Sequence, residues 1–180
     1  MRKINMYLII GMMITFIVHG VMGSMKLMGA DADALKPIAF LCLVFICLHI
    51  IVTCALTFET LRARKLSGAG YFKENLIFHA RRISGFTTLI PLVMHLFIFS
   101  GTNNNGAFRL VEFTSGRLAS QIILVAAAAF HVLTNIEPVM ISFGVKSTKA
   151  FSHDAMFVIS VILLLFCTAF AVYYFRWICV

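Results

Sequence analysis

Five uncharged apolar runs dominate the chain, at about Ile4 to Met22, Pro37 to Phe58, Ile83 to Ser100, Leu118 to Ile136 and Ala155 to Phe175. Each is close to the roughly 20 residues that a helix needs to cross hydrocarbon. A segment in lipid has to satisfy its own backbone N–H and C=O groups, which leaves a helix as the form for such a run. The expectation is an all-α, polytopic membrane bundle of five transmembrane helices, forming a single transmembrane domain over residues 1–180. The third helix is expected to begin earlier, near Leu76, if Arg81 and Arg82 snorkel from its first turns to the headgroups. With 61% of residues hydrophobic and 12% charged, little is left for a soluble domain. The net charge of +8 would suggest nucleic acid in a soluble protein, but these cations sit in short loops between apolar runs. Topology explains them, and no nucleic-acid partner is expected.

Loop charge gives an orientation. Arg2, Lys3, Arg62, Arg64, Lys65, Lys73, Arg81, Arg82, Lys146 and Lys149 fall on one side, against Lys26, Lys36, Arg109, Arg117 and Arg176 on the other. The positive-inside rule then puts the N-terminus in the cytoplasm and the C-terminus outside, in a multi-pass protein of the cell inner membrane. The first run resembles a signal peptide, with small residues at Ala30, Ala32 and Ala34. Its apolar length of about 19 residues exceeds the usual signal core, so a retained helix is expected. The loops carry no nucleotide-binding glycine loop and no hydrolase motif. The five cysteines form no Cys-x-x-Cys pattern, so covalent haem attachment has no support.

Polar groups inside a bilayer are costly and tend to mark function. His19, His49, His95 and His131 stand one on each of the first four runs. At about 1.5 Å of rise per residue, His19 and His95 on the two outward-running helices both lie roughly 20 Å above the cytoplasmic edge. His49 and His131, on the inward-running helices, share a level roughly 10 Å above that edge in a core of about 30 Å. In an up-down bundle, helices one and three face each other, as do two and four, and cofactors are held by side chains on facing helices. The expectation is two bis-histidine sites for haem b, His19 with His95 and His49 with His131, held within a four-helix core. Arg81 and Arg82 at the inner end, with Arg109 or Arg117 at the outer end, are placed to meet propionates, although topology alone also accounts for them. Zinc is disfavoured because no closely spaced Cys and His set occurs.

The stretch Arg81-Arg82-Ile83-Ser84-Gly85 resembles the His-Arg-aliphatic-Ser-Gly signature of the membrane-anchor cytochrome b subunits of succinate dehydrogenase and fumarate reductase. Ala129-Phe130-His131-Val132, followed by Ile136, Met140 and Phe143-Gly144, is similar to that family's haem-ligand helix. Arg81 stands where the family has His, and Phe78 where it has a quinone-binding Ser. The likeness covers about residues 76 to 178. It implies that His131 is an axial ligand and that Arg81, Arg82 and Ser84 belong to the cofactor-binding set. It also implies electron transfer, through haem, between quinone and a flavoprotein and iron-sulfur pair docked on the cytoplasmic face, near Arg62, Arg64, Lys65, Lys73, His79 and His153. Such a chain would be a non-catalytic electron-transfer subunit of an oxidoreductase complex.

Two other readings stay open on the sequence. One is a cytochrome b subunit of a different respiratory enzyme, such as a formate dehydrogenase, hydrogenase or ferric-reductase-like carrier. The other is a haem-free membrane protein whose histidines line a proton or metal path. Against the second, the chain shows no inverted repeat, and Pro91 is the one mid-helix break, four residues before His95 where a kink would aim that side chain.

Overall fold

The computed structural model describes residues 2–30, 34–67, 76–99, 112–142, 144 and 149–179. Lys73, Arg109, Phe143 and Lys146, all used in reading the sequence, lie outside them. Five helices follow in order: α1 Arg2–Leu27, α2 Leu35–Ser67, α3 Leu76–Phe99, α4 Ser115–Ser142 and α5 Lys149–Ile178. All five are long and apolar enough to cross a membrane, and the chain is a multi-pass helical membrane protein. Between 6% and 17% of each span is fully buried within the protein, and the other side chains are partly or wholly exposed. Phe97, Phe157, Ile90 and Leu164 are among the large apolar side chains turned outward.

The helices overrun the apolar runs at most ends, and α3 starts at Leu76. Hydroxyl residues inside them bond their own preceding turn, as with Thr15 to the Gly11 carbonyl, Thr57 to Thr53, Ser160 to Met156 and Thr168 to Leu164. That habit lets a hydroxyl sit in an apolar helix without an unmet donor. α1 ends where Gly29 takes a φ of 95°. The Gly29 N–H donates to the Lys26 carbonyl and the Ala30 N–H to that of Met25, the paired bonds of a Schellman cap. Thr114 caps the start of α4, its hydroxyl accepting from the Arg117 N–H at 3.4 Å.

The chain divides into two compact units. The first holds residues 1–23 and 31–76, chiefly α1 and α2. Asn5 meets His49, Gly11 faces Phe45 and Thr15 meets the buried Cys42. Rising numbers on α1 pair with falling numbers on α2, an antiparallel hairpin. The contact at Gly11 is close enough that an added Cβ would lie 2.7 Å from the Phe45 ring, the kind of small-residue approach by which membrane helices gain packing contacts.

The second unit holds residues 24–30 and 77–180. α5 packs on α4 and buries Leu163, Phe166, Ala169 and Tyr173, a stripe at helical spacing. Leu27, Phe113, Ala169 and Tyr173 form its core, with Phe99, Phe170 and Trp177 packed around them. The Phe113 and Phe170 rings stack at 6.4 Å, and Tyr173 meets Phe113 edge-on at 5.1 Å.

α4 runs through Pro138 to Ser142, beyond the expected end at Ile136. A proline lacks the N–H that would bond the carbonyl four residues earlier, which here belongs to Thr134. Arg81 Nε donates to that carbonyl at 3.0 Å. A side chain from α3 thus supplies a donor that the helix's own backbone lacks at this point.

Candidate functional site

Of the expected site residues on α3, Arg81, Ser84 and His95 share one face, on which Thr88, Pro91 and Phe99 also recur at spacings of three or four. On α4 the matching stripe is Gln121, Leu124, Ala128, His131 and Asn135. The two stripes meet at both ends. Ser84 Oγ lies 3.0 Å from His131 Nδ1, and His95 Nδ1 lies 2.7 Å from Gln121 Oε1. Eleven residues along α3 are matched by ten back along α4, a span of about 15 to 17 Å in antiparallel register.

At the first contact Ser84 is 1% exposed, and its hydroxyl is also 2.9 Å from the Arg81 carbonyl. Gly85 lies against the imidazole, where a Cβ would come within 3.2 Å of His131 Cε1. Asn135 Nδ2 donates to the His131 carbonyl at 2.7 Å and stands 3.5 Å from Nδ1. Arg81, one turn away, is engaged with Thr134. Arg82 sits 5.1 Å over the Phe78 ring, a cation–π contact.

At the second contact Gln121 is fully buried. Its Nε2 donates to Ser120 Oγ at 3.0 Å, and the Ser120 hydroxyl donates to the Arg117 carbonyl at 2.8 Å. The His95 ring also meets Phe99 at 5.0 Å and Phe170 edge-on at 6.5 Å. Ser120, Arg117 and Thr114, with Met94, Phe97 and Ile98, line a groove of about 340 Å³.

His19 and His49 belong to the first unit. His49 Nδ1 lies 3.1 Å from Asn5 Oδ1, with Thr53 Oγ1 3.5 Å from both. His79 lies near the start of α3, its ring edge-on to Phe78 at 5.5 Å, and His153 is exposed near the start of α5. Arg62 and Lys65 are exposed on the last turns of α2.

Sequence reasoning missed Gln121 and Asn5. Both are amides within apolar runs, and Gln121 is the one glutamine of the chain, so the burial cost that singles out the histidines applied to them equally.

Among the described residues no three His, Cys, Asp or Glu side chains gather in a group able to hold a metal ion. Compared with known protein families, curated proteins and solved structures, the chain matches none.

Proposed function

We propose that this chain is the membrane-anchor cytochrome b subunit of a quinone-linked oxidoreductase, similar to the succinate dehydrogenase and fumarate reductase anchors, with a flavoprotein and an iron-sulfur subunit as partners on the cytoplasmic face of the inner membrane. The observation that carries the reading is the pair of intramembrane imidazoles, His95 and His131, each tied through Nδ1 to a polar side chain of the facing helix. A metal-ligating histidine is usually held this way through its other nitrogen.

The residues fit haem b. Single imidazole ligands suit an iron whose other positions are filled by a macrocycle, and a closed protein cage needs three or four converging side chains. Gly85 keeps its side of the His131 ring clear of a side chain. His131, His95, His49 and His19 are the residues that would hold the haem iron. Arg82 is a candidate cation for a propionate, while Arg81 is engaged through Nε by α4. Bound haem supplies one-electron oxidation and reduction. The protein's part is to orient the imidazoles, bury them and exclude water. The groove beside Ser120 offers apolar walls of Met94, Phe97 and Ile98 with Thr114 and Arg117 as polar groups, a composition suited to a quinone ring.

An optical spectrum of detergent-extracted protein, oxidised and then reduced, tests the reading, together with acid-acetone extraction of the pigment. Two non-covalent b haems per chain are expected. Protein made with ample haem supply that carries none ends the proposal. A tag on this chain should bring down a flavin or iron-sulfur subunit, and quinol should reduce the haem. A lone chain whose haem quinol cannot reduce counts against the respiratory reading and for a sensor or transport role.

A further inference from the structure

A neutral imidazole carries one proton, on Nδ1 or on Nε2, and its hydrogen-bond partners decide which. The partners can be traced to a group whose role is fixed, because a backbone carbonyl only accepts.

At His95 the trace begins at the Arg117 carbonyl. It accepts the Ser120 hydroxyl proton at 2.8 Å, so Ser120 Oγ turns a lone pair to its neighbour. Gln121 Nε2 donates to that lone pair at 3.0 Å. With its nitrogen committed, the Gln121 amide presents Oε1 to His95 at 2.7 Å. An amide oxygen cannot donate, so Nδ1 of His95 carries the proton. At His131 the Arg81 carbonyl lies 2.9 Å from Ser84 Oγ and takes its proton, which leaves a Ser84 lone pair facing His131 Nδ1 at 3.0 Å for an N–H there to meet. Asn135 Nδ2, the other donor in reach, is 3.5 Å from Nδ1 and already bonded at 2.7 Å to the His131 carbonyl.

The arrangement is reciprocal. Each helix contributes a serine that bonds the carbonyl three residues before it, and each contributes a histidine read by the other helix. The end at His95 is longer by one residue, Gln121, which extends the reach of Ser120.

We propose that Ser84 and Gln121 are positioning residues that hold His131 and His95 as Nδ1–H tautomers and so present Nε2 of each as the electron-pair donor. That a haem iron takes the pair rests on the function proposed above; the tautomers do not. Ser120 belongs to the same device, since it sets the direction of the Gln121 amide.

The test is nitrogen NMR of the full chain, 15N-labelled at histidine and purified in detergent from haem-deficient cells, with His95→Ala and His131→Ala used to assign signals. Both residues are expected to show the Nδ1–H pattern. Ser84→Ala should move His131 alone toward the Nε2–H form, and Gln121→Leu should move His95 alone. Gln121→Glu, which keeps an acceptor, should leave His95 as it was. An Nε2–H pattern at either residue in the unaltered protein, or variants that leave both tautomers unchanged, overturns the proposal. If the haem-free chain does not fold, the haem-loaded protein gives a second readout. Losing a hydrogen bond from Nδ1–H lowers ligand basicity, so Ser84→Ala and Gln121→Leu should raise one haem midpoint potential each and weaken haem retention by about 10- to 100-fold. Unaltered potentials in both variants also overturn it. Correct tautomers in a chain that takes up no haem would sink the cytochrome reading and leave this one standing.

Discussion

Gly85 and His131 face each other across α3 and α4 so closely that one methyl group at Gly85 would stand 3.2 Å from the imidazole Cε1. Alanine favours a helix over glycine by about 1 kcal/mol, whereas overfilling a packed contact costs about 1 to 3 kcal/mol. Because Ser84 holds the ring from the next position, the ring has little room to retreat. Gly85→Ala is expected to destabilise the protein by about 1 kcal/mol, and Gly85→Val by more. Thermal unfolding in detergent measures this, and haem retention should fall in parallel.

Arg81 replaces a bond that Pro138 removes. Arg81→Ala leaves the Thr134 carbonyl without that donor inside the membrane, at a cost of about 1 to 3 kcal/mol. Pro138→Ala restores a backbone N–H to the same carbonyl, so Arg81→Ala should cost less in that background. A double-mutant cycle is expected to show a coupling of about 1 kcal/mol; strict additivity would mean that the side chain does not replace the missing bond.

Gly11 sets the approach of α1 to α2 in the same way that Gly85 sets its own contact. The added Cβ of Gly11→Ala would lie 2.7 Å from the Phe45 ring, and the expected loss is about 1 to 2 kcal/mol. Phe45→Ala in the same chain should absorb the added methyl, making the second step less costly than Phe45→Ala alone.

Cys179 is exposed just past α5, while Cys42 is buried in the first unit. The orientation proposed from loop charge puts Cys179 outside the cell membrane. A membrane-impermeant thiol reagent added to intact spheroplasts is expected to label Cys179 and to spare Cys42. Labelling of Cys179 only after lysis would invert the topology.

The five spans were legible because an apolar run near bilayer length has one stable backbone form in lipid, whatever its neighbours do. The helix ends were less legible. Nothing near Pro138 in sequence announces that α4 continues, and the donor that meets the Thr134 carbonyl stands 53 residues away at Arg81. The three turns between Ser84 and His95 on one helix were readable from spacing alone. Their partners were not. Counting rise places His131 at a depth, but rise says nothing of which side chain across the gap will meet it. Gln121 was overlooked for a different reason: attention to imidazoles passed over an amide in an equally costly position.

Arg176, near the end of α5, donates through Nη1 to the Met28 carbonyl at 2.9 Å, in the turn that closes α1. The two residues are 148 positions apart. Ribosomes add about 5 to 20 residues per second, so that carbonyl waits on the order of ten seconds for its partner to be made. During that interval the carbonyl has only solvent or other molecules to bond, while the turn's own backbone bonds already hold its shape. The end of the first helix to be synthesised thus gains its Arg176 hydrogen bond only when the last helix has been made.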